Sequence, residues 1–140
     1  MAQKHHIPES LRRQVRMRAK GCCEYCLIPD EDSFFPHEPD HVIAEKHGGA
    51  TTLGNLAWSC AACNRYKGSD LASIDPRTGD IAALYNPRRQ QWSRHFRLDK
   101  ALIKPLTAAG RATERLLRLN DERRVEERQA LIERGFYPPR

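Results

Sequence analysis

Two Cys-x-x-Cys pairs constrain what this chain can fold into more than any other feature of its sequence. Cys23 and Cys26 form the first pair, and Cys60 and Cys63 form the second. One pair cannot complete a tetrahedral metal site, whereas two pairs supply the four thiolates that a structural zinc ion requires. The sequence therefore predicts one Zn²⁺ bound by all four cysteines. The spacer 27–59 is longer than in a simple zinc ribbon, so we expect a functional element between the pairs.

The length of the chain indicates how large a share of its folding stability a zinc site would supply. The 140 residues, 39% of them apolar, allow one domain with a modest core. Zinc binding in such sites is worth about 10–16 kcal/mol, which is comparable to the roughly 5–15 kcal/mol stability of a whole domain. We therefore expect the middle of the chain to unfold without zinc.

Cysteine usage and hydropathy together predict a cytoplasmic protein. The fifth cysteine, Cys22, lies outside the regular spacing and is expected to be a bystander. Four paired cysteines and one spare argue against a disulfide framework and for a reducing compartment. No apolar run is long enough to span a membrane, and the N-terminus shows no secretory apolar segment. Nothing in the sequence specifies an oligomeric state.

Charge is unevenly distributed along the chain. Residues 1–29 carry six basic and two acidic side chains, whereas residues 30–50 carry one basic and six acidic. Basic residues again exceed acidic ones after residue 50, and the net charge is +6. An acidic insert between basic arms suits a cation site held between surfaces that bind a polyanion. The alternative is that the arginine-rich helices are simply solvated faces.

The element order predicted around the cysteines is helix, hairpin, helix. A helix is expected over 8–20, followed by a polar loop over 27–36 and a short strand around 40–44. Gly48-Gly49 mark a turn, and residues 55–59 form the returning strand. A second helix then begins at Cys60. The sequence thus predicts a ββα unit with both cysteine pairs bracing it.

A small hairpin and two helices are predicted downstream. Residues 75–80 form a turn between Ile74 and a strand over 81–84. Trp92 and Phe96 are expected to pack. Helical sequence follows Pro105, breaks near Asn120, and resumes to about Glu133, with Asp121 as the N-cap and Gly135 at the end. The prediction is an α+β fold with one part over 1–100, which contains the ββα unit, and a helical C-terminal extension over 101–140, packed on or beside it.

The segment 23–68 resembles the HNH endonuclease family in its zinc-braced form, which has a ββα-metal core. The matching residues are Cys23, Cys26, Asp40-His41, Gly48-Gly49, Asn55-Leu56, Cys60, Cys63, Asn64 and Lys67. Asn64 stands where the family name expects His, so this is an HNN variant. The resemblance implies a metal-dependent endonuclease that hydrolyses phosphodiester bonds of DNA, most simply double-stranded DNA.

Residue chemistry and the resemblance together assign the site. His41 suits the general base, since an imidazole can take a proton at neutral pH. Asp40 precedes it on a strand and should point to the opposite side unless the strand twists or bulges. The resemblance implies that Asp40 and Asn64 hold one catalytic Mg²⁺ or Mn²⁺, and that Asn55 pins the hairpin loop and so orients His41.

Several of these residues have a second interpretation. Asn64 could merely cap its helix. Lys67 and Arg65 are candidate substrate contacts, although Lys67 could equally lie in solvent. His47 is a third candidate, with stabilisation of the turn as the simpler role. The whole chain could also be a non-catalytic, zinc-stabilised nucleic-acid-binding module; Asp40, His41 and Asn64 occurring together favour the nuclease.

Overall fold

The protein is described by a computed structural model covering residues 6–31 and 33–140. Residues 1–5, at the start of the predicted nuclease part, and Asp32 of the predicted 27–36 loop lie outside the described residues. The helices are α1 (Glu9–Arg18), α2 (Ala61–Lys67), α3 (Trp92–His95), α4 (Ala108–Leu116) and α5 (Glu122–Glu133). The strands are β1 (Glu38–His41), β2 (Leu56–Ser59), β3 (Ala72–Ile74), β4 (Ile81–Ala83), β5 (Phe96–Asp99) and β6 (Leu102–Pro105).

The six strands form three antiparallel hairpins, β1–β2, β3–β4 and β5–β6. In the first hairpin Asp40 pairs with Ala57 and His41 pairs with Leu56. Helix α2 follows β2 directly and packs against β1. The α+β class and the ββα unit are therefore as predicted, although the first strand ends at His41 rather than continuing to Ala44.

Helix α1 covers the outer face of this hairpin. Val15 packs with Leu56 and Trp58 in a small apolar cluster. At the end of the helix, Arg18 donates to the carbonyl oxygens of Leu53, at 2.7 Å, and Leu56. Arg18 therefore joins α1 to β2.

The main core lies between the cysteine pairs and the C-terminal elements. It contains all four paired cysteines, Tyr25 and Phe96, together with Ile103, Leu117 and Leu119 from the C-terminal part. The boundary expected at 100/101 falls in the turn between β5 and β6. Residues from 101–140 thus share one core with the cysteine pairs.

Two features of the C-terminal half differ from expectation. The β5–β6 hairpin was not predicted, because Trp92 and Phe96 were expected only to pack; their rings do pack, with centroids 5.1 Å apart. Asp121 occupies the N-cap position of α5 but makes no side-chain capping hydrogen bond.

Within residues 6–31 and 33–140, no helix has the length and apolar character that a membrane crossing needs.

Candidate active site and metal centre

The four paired cysteines meet in one buried cluster. Cys23 and Cys26 come from the loop after α1, Cys60 precedes α2, and Cys63 lies in its first turn. Their sulfur atoms all lie within 4.8 Å of one another, and the sulfurs of Cys26 and Cys60 are 3.6 Å apart. Four sulfurs at about 2.3 Å from a tetrahedral zinc ion would be separated by about 3.8 Å. The donor set and its spacing therefore fit structural zinc.

Ionisation is favoured at one thiol of the cluster, that of Cys26, and opposed at Cys63. Burial opposes ionisation of Cys26, but hydrogen bonds from the other three thiols outweigh it and hold the pKa of Cys26 well below its ordinary value. Burial instead raises the pKa of Cys63. Cys22 lies outside the cluster, and its thiol contacts the carbonyl oxygen of Lys20 at 3.6 Å.

The first cysteine pair is fastened to β2 by Glu24. Its backbone N–H donates to the carbonyl of Trp58 at 2.8 Å, and its carboxylate accepts from the Trp58 N–H at 2.7 Å. Arg88 pairs with the same carboxylate. Burial raises the pKa of Glu24, against these contacts. Glu24 therefore connects the cysteine cluster to the β1–β2 hairpin.

Asn55 organises the loop that follows His41. Its amide oxygen accepts from the N–H of Ile43 at 3.0 Å, and its Nδ2 donates to the carbonyls of Ile43 at 2.9 Å and Ala50 at 2.8 Å. The Val42 N–H also donates to the Asn55 carbonyl at 2.9 Å. The side chain thus imitates a peptide group and ties both ends of the loop together.

The two adjacent glycines of this loop are required for different reasons. Gly48 has φ +89°, a left-handed conformation, and a Cβ there would meet no atom within 4 Å. A Cβ at Gly49 would lie 1.7 Å from the carbonyl oxygen of Ile43 and 2.9 Å from Nδ2 of Asn55. Gly49 therefore allows the close backbone approach on which the Asn55 contacts depend.

His41 ends β1 with its side chain directed at this loop. The residue is only 4% exposed, and its Nε2 lies 2.9 Å from the Thr51 hydroxyl and 3.8 Å from the Glu45 carboxylate. Neither Thr51 nor Glu45 was predicted as a neighbour of His41. Their closeness to His41 along the chain was the available signal, since both belong to the short loop that Asn55 closes.

Asp40 has different neighbours from His41, as strand alternation predicts. Its carboxylate lies 3.0 Å from the ammonium of Lys67, which also donates to the His41 carbonyl at 3.1 Å. Lys67 is only 3% exposed. It therefore links α2 to β1, and a buried ammonium held by a carboxylate does not match the alternative position in solvent.

The remaining candidate residues lie on or near α2. Asn64 is inside the helix, since its N–H donates to the Cys60 carbonyl at 3.0 Å and its carbonyl accepts from Gly68 at 3.0 Å. The N-cap is Cys60, whose sulfur accepts from the Cys63 N–H at 3.4 Å. The interpretation of Asn64 as a helix cap is therefore wrong.

A surface cleft of about 260 Å³ borders Asn64. Exposed Arg65 and Glu38 of β1 line the same cleft. His47 instead contacts the carbonyl oxygen of Ser69 at 3.1 Å, which ties the loop to the chain after α2. The structure thus brings Asn64 and Arg65 to one opening, while His47 has the position that a stabiliser of the turn would have.

The oxygen donors suit a hard divalent ion. Asp40 and Asn64 offer carboxylate and amide oxygens, the ligand types that Mg²⁺ prefers. The Asp40 carboxylate already pairs with the Lys67 ammonium, so a divalent ion would share that carboxylate with an existing positive charge. The chemistry of the two oxygen donors, and not the charge around Asp40, is what fits a divalent ion.

The structure thus defines a ββα unit braced by a four-cysteine centre, with a buried Asp-His pair at the end of its first strand. Residues 23–70, about a third of the chain, match the family model described as HNH endonuclease. This segment is therefore an HNH endonuclease domain, a member of a family of phosphodiester hydrolases. Searches among curated proteins and among solved structures gave no match.

Proposed function

We propose that this protein is a metal-dependent endonuclease that hydrolyses phosphodiester bonds of double-stranded DNA. The observation that carries the proposal is the setting of His41, which stands beside Asp40 and against a loop closed by the side chain of Asn55. Within an HNH endonuclease domain, this is the arrangement that a fixed general base requires. The positive net charge of the chain fits a polyanionic substrate.

In this proposal His41 accepts a proton from the attacking water. An imidazole is suited to that role at neutral pH because its ordinary pKa lies near neutrality. Thr51 and Glu45, both near Nε2, support the ring and its orientation. Asn55 acts through the loop and is a positioning residue rather than a catalytic one.

Two metals have separate places in the proposal. Asp40 and Asn64 would hold Mg²⁺ or Mn²⁺, which when bound supplies positive charge for the phosphate oxygens. Cys23, Cys26, Cys60 and Cys63 would hold Zn²⁺ and maintain the fold, which requires thiols kept reduced, as in the cytoplasm. Exposed Arg65, which lines the same cleft as Asn64, would contact a phosphate.

Nicking of supercoiled plasmid tests the activity. We expect cleavage when Mg²⁺ or Mn²⁺ is added and none when the divalent ion is left out, with bound zinc measured in both samples. Omitting the ion is preferable to strong chelation, since a chelator could also remove zinc. Folded, zinc-loaded protein that does not nick plasmid at any concentration of either ion would contradict the proposal.

A non-catalytic DNA-binding module is the second candidate, and one contact favours it. The Lys67 ammonium already balances the charge of Asp40, so a binding module could keep this pair without a metal. Both candidates predict binding that weakens steeply with salt, because basic side chains replace condensed counterions. A log–log salt slope near zero would exclude both, whereas cleavage separates them.

A further inference from the structure

Arg124 of α5 places its guanidinium directly against the second cysteine pair. Its Nη2 lies 3.0 Å from the sulfur of Cys63 and 3.6 Å from that of Cys60. Its Nη1 donates to the carbonyl oxygen of Leu117 at 2.6 Å. Arginine is only a donor and keeps its charge in proteins, so the sulfur atoms are the acceptors in these contacts.

The charge of a zinc centre explains why a guanidinium would be held there. One Zn²⁺ and four thiolates leave a net charge of two minus in a buried site. Burying net charge is unfavourable unless a partner of opposite sign and hydrogen bonds compensate it. Arg124, only 8% exposed, supplies both at the sulfur atoms themselves.

The C-terminal segment also reaches the first cysteine pair. The hydroxyl of Tyr137 donates to the carbonyl oxygen of Cys26 at 2.8 Å. Arg124 and Tyr137 thus contact opposite pairs of the same cluster, from residues outside the matched family segment 23–70. The cluster is covered by the part of the chain that the sequence suggested was an accessory extension.

We propose that Arg124 is a positioning residue of the zinc site, which compensates its charge and holds the Cys60 and Cys63 sulfurs through hydrogen bonds. Helix α5 is then part of the metal centre. The inference rests on the zinc site of the proposed function but is independent of DNA cleavage. Loss of such a hydrogen-bond partner typically weakens metal binding about 10–100-fold.

Arg128 provides a matched control on the same helix. It is buried, as Arg124 is, but its guanidinium donates to oxygen atoms, the Ala101 carbonyl at 2.7 Å and the Asn120 amide oxygen at 3.1 Å. Arg124→Met, Arg124→Lys and Arg128→Met therefore separate contact with sulfur from general support of α5.

The experiment measures zinc release from the full chain into excess chelator, together with the absorption spectrum of the cobalt-substituted protein. We expect Arg124→Met to release zinc about 10–100-fold faster than the parent, with Arg124→Lys between them because it keeps the charge without the guanidinium fork. The sulfur-to-cobalt charge-transfer band should move to lower energy in Arg124→Met, since unbonded thiolates are better electron donors. Arg128→Met should leave that band in place.

Parent-like zinc release and an unmoved band in Arg124→Met would overturn the proposal. An equal band shift in Arg128→Met would also overturn it, because the effect would then come from loosening of α5. If Arg124→Met does not fold, Arg124→Lys decides, and an unmoved band in that variant contradicts the proposal. Parent protein without zinc in elemental analysis would contradict the zinc site itself, a failure recognised before any variant is made.

Discussion

Two regions of this molecule, the hairpin–helix unit over 38–67 and the C-terminal unit over 95–133, use the same pair of side-chain contacts. In the first, His41 lies 2.9 Å from the Thr51 hydroxyl. Asn55 there bonds both the N–H and the carbonyl of Ile43, at 3.0 and 2.9 Å. The histidine and the asparagine together define the loop beside Asp40.

In the second region the partners are different residues with similar geometry. Nδ1 of His95 lies 2.7 Å from the Thr107 hydroxyl. Asn120 bonds the N–H and the carbonyl of Ile103 at 2.9 and 2.7 Å. Thr107, however, caps α4 by accepting from the Gly110 N–H at 3.0 Å. Here the contacts fix a helix start and a strand.

A histidine–threonine contact together with an asparagine–backbone contact therefore indicates a fixed backbone. It does not by itself indicate a catalytic site. What distinguishes His41 from His95 is its setting: His41 follows Asp40 on β1 and lies near Glu45, whereas His95 lies near the start of α4. The role of such a histidine is therefore assigned from its neighbours. His95 and Asn120 serve as matched controls for His41 and Asn55.

Zinc removal should have the largest effect. Both units meet at the cysteine cluster, so both should lose folded structure. Cys60→Ser is expected to lose zinc and most of the folded structure, since zinc binding is worth about 10–16 kcal/mol in such sites. Elemental analysis and circular dichroism measure the two losses. Cys22→Ser, outside the cluster, is the control and should keep its zinc. Cys60→Ser protein with normal zinc and a normal spectrum would contradict the four-cysteine site.

His41→Ala should give the largest difference in cleavage between variants of the two units. General-base catalysis contributes roughly 10²–10⁴-fold, so plasmid cleavage should fall by at least about two orders of magnitude. Zinc content and DNA affinity should stay near those of the parent. His95→Ala removes the corresponding contact in the other unit and should leave cleavage nearly unchanged. Equal cleavage by His41→Ala and the parent would mean that His41 is not the base.

Asn55→Ala and Asn120→Ala compare the two asparagines directly. Each leaves backbone groups of an isoleucine without a partner, which costs about 1–3 kcal/mol of stability. Only Asn55→Ala should also lower the cleavage rate, because it frees the loop against His41. Urea unfolding and cleavage rates measured on the same samples separate the effects. Similar rate losses in both variants would show that cleavage follows stability alone.

A pH effect at His95 is expected to be the smallest. Burial lowers the pKa of His95, with neighbouring Arg94 acting in the same direction. The unfolded chain therefore takes up a proton first, and stability falls as pH drops from the unfolded value, about 6.5, towards the folded one. His95→Gln should reduce the difference between urea midpoints at pH 7.5 and 5.5. An unchanged difference would place the pH dependence in another group.

Local spacing predicted the four-cysteine cluster and the ββα unit because cysteine pairs, a turn and a helix start are local signals. Lys67 could not be placed in this way. Lysine is rarely buried unless paired, and its partner, Asp40, lies 27 positions earlier. Arg124 was missed for the same reason, since nothing near it in sequence indicates a sulfur partner 61 positions away.

The β5–β6 hairpin shows a second limit of local reasoning. Its strands are four residues each, and aromatic residues at helical spacing precede and begin them. What supports the hairpin is Asn120, 17 positions from Ile103. The sequence signal at Asn120 indicated only a helix break, which is correct but incomplete.

In a library that tests every amino acid at positions 48 and 49, the two adjacent glycines should tolerate different substitutions. At Gly48 the constraint is conformational, so asparagine or aspartate, which tolerate left-handed backbone best, should partly survive selection for cleavage. At Gly49 the constraint is volume, and a single carbon atom already overlaps the Ile43 carbonyl. Alanine there should be rejected as firmly as tryptophan, which would make position 49 a more stringent filter than the position that carries the unusual torsion angle.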